Sequence, residues 1–220
     1  ALPFISDPTK KVTRYMVCDP AGSKPWVMIW IAVDEDDRWW VYREWPESTM
    51  GAWALPHANT QGKPVGKAGP AQRPTGYGYE NYADLMKDME KDEEIFERLV
   101  DPRFGNATVR TAHGETNMCN EMMEFDIFLR PAPGLEIEHG IQKINDLLSW
   151  DDTEPKTEEN SPKLFISEEC TNMIYAMTEY SGVSREESCK DFVDVLRYAA
   201  VTPLEYVGNQ QLVASGGGGY

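Results

Sequence analysis

Two aspartates in this sequence share a setting that suits metal-assisted chemistry. Asp19 closes the apolar run at residues 13–18 and Asp101 closes the run at residues 95–100, and each is followed at once by proline. Proline has no N–H to give to a central ladder, so a strand must stop there. Each carboxylate should therefore stand at a strand's C-terminal edge, where open α/β sheets bind ligands. If the two strands are parallel neighbours, both acids face one point in space. An Asp-Pro pair also opens ordinary turns, so either pair alone carries little weight, and the repetition is what counts.

A second pair lies near the end of the chain. Asp191 and Asp194 are spaced i, i+3 on an expected helix, beside the apolar stripe of Phe192, Val195, Leu196 and Ala199. Like charges at that spacing repel, and a cation would remove the repulsion. The alternative is a pair of acids favoured by a helix N-terminus. Glu44 ends the segment Tyr42-Arg43-Glu44-Trp45-Pro46 and points to the same edge if its strand runs parallel to the first. A salt bridge with Arg43 or another basic neighbour is the other reading. Carboxylate oxygens suit hard cations such as Mg²⁺ or Mn²⁺. Two such ions about 3.5–4 Å apart can activate water and stabilise the leaving oxygen of a phosphodiester. Asp19, Asp101 and the Asp191/Asp194 pair are the candidate metal-binding acids, with Glu44 as a further candidate ligand.

The elements that must position these groups follow from the hydrophobic pattern. Residues 13–18, 26–33 and 39–43 are short apolar runs rich in β-branched and aromatic side chains, separated by Asp19-Pro20 and by the polar turn Asp34-Glu35-Asp36-Asp37. They predict a three-stranded antiparallel meander. Residues 45–79 form a long Gly/Pro/Ser/Thr-rich loop, and residues 80–94 an amphipathic helix with Tyr82, Leu85, Met86 and Met89 on one face. A fourth strand is expected at 95–100, a helix at 117–125, a short strand at 127–129 and a helix through Ile137, Ile141, Ile144, Leu147 and Leu148. After an acidic loop at 151–162 come a strand at 163–167 and helices at 170–180 and 190–200. The order predicts an α/β mixed sheet, an antiparallel meander followed by parallel strands, flanked by helices. Residues 1–12 read as a linker, 13–207 as one domain and 208–220 as a flexible Gly-rich tail.

Composition narrows the function classes. The 220 residues carry 21 Lys and Arg against 37 Asp and Glu, a net charge of −16. Such a chain has no standing polycation surface for nucleic acid: either it does not touch nucleic acid, or some of its acids form a cation site and basic surface for DNA is local or supplied by another domain. The four cysteines form no CxxC pair and the three histidines pair with none of them at ligand spacing, which argues against zinc and for reduced buried thiols. No stretch of about 20 apolar residues is available to span a membrane, and the N-terminus lacks the pattern of a secretory signal.

A family resemblance adds to this reading. The segments Arg14-Tyr15-Met16-Val17-Cys18-Asp19-Pro20-Ala21-Gly22, Val41-Tyr42-Arg43-Glu44-Trp45-Pro46, Gly76-Tyr77-Gly78-Tyr79-Glu80-Asn81-Tyr82 and Leu99-Val100-Asp101-Pro102-Arg103 look like those of the nuclease domain of tailed-phage large terminase subunits. Gly140-Ile141-Gln142-Lys143-Ile144-Asn145 and Lys190-Asp191-Phe192-Val193-Asp194-Val195-Leu196-Arg197-Tyr198 complete the series, in order, from about residue 12 to 200. The resemblance implies a ribonuclease H-like fold related to Holliday-junction resolvases. It also implies a two-metal Mg²⁺- or Mn²⁺-dependent endonuclease that cuts concatemeric double-stranded phage DNA during genome packaging. Asp19 matches the family's first acid, Asp101 its second and Asp191 its third; Asp194 resembles an additional helical acid of some members. Many members carry adjacent aspartates where this chain has Lys190-Asp191, which leaves the choice between Asp191 and Asp194 open.

The resemblance further implies double-stranded DNA, a terminase ATPase domain, a small terminase subunit and a portal protein as partners, in the host cytoplasm. No GxxxxGK[ST] phosphate loop is present; the nearest string, Gly62-Lys63-Pro64-Val65-Gly66-Lys67-Ala68, has the wrong spacing and lacks the Ser or Thr. The motor is therefore expected outside this chain. Local DNA contacts are expected from Lys63, Lys67 and Arg73 on the long loop and from Arg103 and Arg110 after the second acid. Two other classes compete. One is another ribonuclease H-like enzyme, of resolvase or transposase type. The other is a non-catalytic acidic docking module anchored by Trp45, Trp53 and Tyr77.

Overall fold

The computed structural model describes residues 2, 4, 11–21, 25–47, 78–111, 114–134, 136–182 and 190–208. Three strands form the expected meander: β1 (Val12–Asp19), β2 (Val27–Asp34) and β3 (Trp39–Trp45), paired antiparallel in sequence. Strand β4 (Glu97–Val100) joins β1 in parallel, with Cys18 opposite Val100. Helix α1 (Tyr79–Glu90) precedes β4, and the short helix α2 (Pro102–Asn106) follows it. A small hairpin, β5 (Thr108–Thr111) and β6 (Gly114–Asn117), then leads into helix α3 (Met118–Met123) and the edge strand β7 (Arg130–Pro131). Helix α4 (Ile137–Leu148), strand β8 (Leu164–Ile166), α5 (Thr171–Glu179) and α6 (Lys190–Ala200) complete the described chain.

The main sheet has the order β7-β4-β1-β2-β3-β8. Only β2 runs against the others, because β1 and β3 are each antiparallel to it while β4, β7 and β8 pair in parallel. The expected mixed α/β sheet is therefore observed. All eight residues of β2 are buried, which explains why its sequence is continuously apolar rather than alternating.

Each face of the sheet carries its own core. Tyr15, Val17, Ile29, Ile31 and Leu99 face α4, α5 and α6, where Ile144, Met173, Ala176, Phe192, Val195, Leu196 and Ala199 pack on them. Met16, Cys18, Met28, Trp30 and Ala32 face the other way, onto Tyr82, Ala83 and Met86 of α1 and Met118 and Met122 of α3. The alternation is that of a pleated strand.

Several local expectations shift. The strand expected at 127–129 is displaced to Arg130–Pro131, where the carbonyl-only Pro131 suits a sheet edge and the Ala132 N–H continues the pairing to the Val100 carbonyl at 2.9 Å. The helix expected at 80–94 stops at Glu90, and a tight turn joins it to β4. Helix α2 and the β5–β6 hairpin are additions to the expected elements; β6 opens with Gly114, whose φ of 128° favours glycine. Residue 207 is tied back to the sheet by its N–H, donated to the Thr13 hydroxyl at 2.8 Å.

Candidate active site

The two Asp-Pro pairs fall where their spacing predicts. Asp19 is the last residue of β1, and Asp101 stands one residue beyond β4, next to it in the parallel register. The Asp101 N–H donates to the Cys18 carbonyl at 3.1 Å. Asp19 continues the face of Tyr15 and Val17, and Asp101 that of Leu99, so both acids lie on the side covered by α6. Both are buried, Asp101 completely. Pro102 ends the ladder and becomes the first residue of α2, with Asp101 as its cap: the Arg103 N–H donates to Asp101 Oδ1 at 2.7 Å.

The Arg103 side chain returns to the same carboxylate. Its Nε donates to Oδ2 at 3.1 Å and its Nη2 to the same oxygen at 2.8 Å, while Nη2 also reaches the Tyr198 hydroxyl at 3.2 Å. Burial alone would raise the Asp101 pKa, but the Arg103 and Tyr198 hydrogen bonds and the Arg103 charge outweigh it and hold the carboxyl below its usual range. The Arg103 guanidinium is correspondingly pushed up by its bonds to Asp101. Arg103, expected as a DNA contact, is thus part of the acid site.

Helix α6 brings the second acidic pair over this edge. Asp191 and Asp194 are both buried, as is nearly every residue of the helix. Asp194 pairs with Lys190 and, at 3.0 Å, with Arg197. Arg197 is itself buried, with its cation 4.7 Å from the Tyr198 ring centroid. Its stem lies against Gly140 of α4, where a Cβ would come within 2.1 Å of Arg197 Cγ. The Tyr198 hydroxyl is where the acids meet electrostatically. Burial first, and then the negative charges of Asp19, Asp101 and Asp194, push its pKa well up.

Glu44 reaches the same sheet face by a bulge. Val41 pairs with Ile31 but Arg43 pairs with Trp30, so one extra residue shifts the parity and sets Glu44 opposite Ile29. There the carboxylate caps α5: Oε1 accepts the Asn172 N–H at 2.9 Å and Oε2 the Met173 N–H at 2.8 Å. Arg43 turns away to Glu93 at 2.9 Å, so the alternative pairing of Glu44 with Arg43 is corrected. Burial pushes the Glu44 carboxyl up to about 7, against the pull of those two N–H donors.

The donor chemistry of this edge, oxygen only and largely buried, fits a hard divalent cation. Among the described residues, however, no three acidic, imidazole or thiol groups stand close enough together to form a metal cluster. Asp101 and Asp194 are instead neutralised by Arg103, Lys190 and Arg197. The expected loop contacts Lys63, Lys67 and Arg73 lie outside the described residues; Arg110 lies on β5, and its side chain is likewise outside them. Sequence reasoning does not single out Tyr198 as a site residue, although its i+4 spacing from Asp194 puts both on one helix face.

No protein-family model and no curated protein matches this chain. Solved structures do. The large terminase of a thermophilic bacteriophage is similar over 88% of this chain and 40% of its own, with a TM-score of 0.54 and 13% identity. The same protein in complex with ADP gives 0.55 at 12% identity. The P22 large terminase nuclease domain is similar over 86% of this chain and 80% of its own, with a TM-score of 0.52 and 14% identity. This fold is therefore the fold of large terminase nuclease domains. The chain spans about 40% of the thermophilic phage protein's length and most of the isolated P22 domain.

Proposed function

We propose that this chain is the nuclease part of a phage large terminase, a metal-dependent endonuclease that cuts concatemeric double-stranded DNA during genome packaging. The observation that carries the reading is the placement of Asp19 and Asp101, side by side at the C-terminal edge of two parallel strands and on the face that α6 covers. Asp19, Asp101 and Asp191 are the proposed catalytic acids, and Asp194 lies one turn further along the helix. Glu44 is set apart from them by its two backbone donors and serves to fix α5 against β3. Mg²⁺ or Mn²⁺, as a pair of ions, would supply an activated water and stabilise the leaving oxygen. The protein's share is to hold the carboxylates rigidly at one edge, with Tyr198 fixing the Asp101 carboxylate and Arg197 bracing Asp194.

Double-stranded DNA is the proposed substrate, in the host cytoplasm. A terminase ATPase domain, a small terminase subunit and a portal protein are the proposed partners, and the motor would help hold the DNA that an acidic domain repels. Local DNA contacts are proposed at Lys63, Lys67, Arg73, Arg103 and Arg110. Supercoiled plasmid incubated with the protein and millimolar MgCl₂ or MnCl₂ tests the reading. Nicking and linearisation are expected, abolished by chelation and by Asp19→Asn. Cleavage that survives Asp19→Asn would refute the assignment.

One observation favours the non-catalytic docking reading: the acids of this edge are already neutralised by basic side chains of the chain itself. Complete absence of cleavage with either metal, in a folded protein, would support it.

A further inference from the structure

The Asp101–Arg103 pair has an unusual asymmetry. The carboxylate is wholly buried, whereas the arginine side chain that binds it is 73% exposed. The stem of Arg103 is therefore not anchored by packing, and its charged end is held by four contacts: two to Asp101 Oδ2, a longer one to Oδ1 and one to the Tyr198 hydroxyl. A cation that reaches Asp101 must take the oxygen that this guanidinium occupies. Rotating an exposed arginine into water costs little in packing and restores its hydration. The Asp194–Arg197 pair is built differently, since Arg197 is buried and braced against Gly140, with its cation over the Tyr198 ring.

We propose that Arg103 is a displaceable counter-ion that holds Asp101 in place before metal arrives and competes with the metal for it. This inference rests on the assignment of Asp101 as a metal ligand and goes beyond it. In the metal-free protein, the guanidinium spares Asp101 the cost of an unpaired buried charge. When a divalent cation binds, Arg103 is released at the mouth of the site, where its freed fork suits a phosphate oxygen. The apparent metal affinity of the wild-type protein is thus lowered by the work of breaking the Asp101–Arg103 contact. The local backbone cap, donated by the Arg103 N–H, is independent of the side chain and survives its truncation.

The test is Mn²⁺ binding without DNA, measured by calorimetric titration, for the wild-type protein, Arg103→Met, Arg103→Lys and Asp101→Asn. Arg103→Met should bind Mn²⁺ roughly tenfold more tightly, as expected when a charge-assisted competitor is removed. Arg103→Lys, a charge without the two-pronged geometry, should fall between. Melting temperature provides a second reading: metal-free Arg103→Met should melt lower than the wild type, and saturating Mn²⁺ should raise it by more. Equal Mn²⁺ affinity in wild type and Arg103→Met, with binding lost in Asp101→Asn, would overturn the counter-ion role while leaving the metal site standing. Absence of Mn²⁺ binding in both wild type and Arg103→Met would overturn the metal-site assignment and this inference with it. Should Arg103→Met not fold, Arg103→Lys decides alone: affinity above wild type supports the competition, and affinity equal to or below it refutes it.

Discussion

Glu90 and Asp101 are both buried carboxylates bound by an arginine, and the two pairs are built differently. On the α1 face, Glu90 accepts from Trp30 Nε1 at 2.9 Å and from Arg98 Nη2 at 2.6 Å, so both its oxygens are used. Arg98 belongs to β4, opposite Met16, and is itself mostly buried, so nothing in the group can move without breaking the sheet. On the α6 face, Asp101 is more deeply buried, but its arginine projects into solvent. A saturated buried pair fixes structure. A buried carboxylate whose partner can leave keeps an open option for another cation. Burial and pairing alone do not separate the two acids; what differs is the exposure of the arginine that binds each.

The comparison is sharpened most by Asp101→Asn. The side chain keeps its shape and its cap to α2, but the charge-assisted bonds from Arg103, which hold the carboxyl below its usual range, are weakened. Stability should fall modestly, while plasmid cleavage should fall by roughly 10³-fold or more, in line with the loss of a ligand from a two-metal site. Single-turnover cleavage and thermal melting, measured on the same preparation, check both halves. A large loss of stability with cleavage retained would reverse the roles assigned to the two carboxylates.

Glu90→Ala is the mirror experiment. It removes the acceptor for Trp30 Nε1 and leaves Arg98 without its partner inside the α1-face core. Breaking a buried pair from one side costs about 3–5 kcal/mol. Urea denaturation should show that loss, and the metal concentration for half-maximal cleavage should not move in the fraction that remains folded. A shift in metal dependence would mean that the two faces are coupled through β4.

Gly140→Ala tests how far Arg197 differs from Arg103. The added methyl would collide with Arg197 Cγ, close to the backbone end of a buried side chain that cannot swing clear. Overpacking of this kind costs about 1–3 kcal/mol. The displaced guanidinium should also loosen Asp194, so reduced cleavage is expected alongside reduced stability. Unchanged stability and cleavage would show that α4 and α6 separate easily and that the brace is not needed.

The parts of this arrangement that sequence makes legible are those governed by short-range rules. Asp19-Pro20 and Asp101-Pro102 mark strand ends because proline cannot continue a ladder, and the 3.6-residue period outlines α4 and α6. What stays hidden depends on distant partners. Strand β7 has two residues and exists because Ala132 and its neighbours find the free edge of β4. The bulge in β3, which turns Glu44 toward α5, leaves no mark in a run whose aromatic residues fall on both faces. Arg103 resembles a surface DNA contact because its exposure is legible while its return to Asp101 is not. Tyr198 is hidden as an ordinary member of an apolar helix stripe, since only the fold brings its hydroxyl to two strand ends.

Glu44→Gln gives the smallest effect and separates a third kind of buried acid, one held by backbone N–H groups rather than by arginine. Its carboxyl is raised from 4.5 to about 7, chiefly by burial. A raised folded-state pKa means that the native protein keeps a proton that the unfolded chain has lost between those two values. Its stabilising contribution is therefore complete below pH 4.5 and disappears as pH rises through about 7. Glutamine cannot titrate, and at one of its two positions it would present an N–H₂ group to a helix N–H, which costs about 1 kcal/mol. Denaturation measured from about pH 5 to about pH 8 should find the wild type more stable than Glu44→Gln at the acid end, with the advantage shrinking toward the alkaline end. An advantage that instead grew with pH would mean that the α5 N–H donors dominate over burial and hold Glu44 as an anion throughout. It would then belong with Asp101, whose charge is kept.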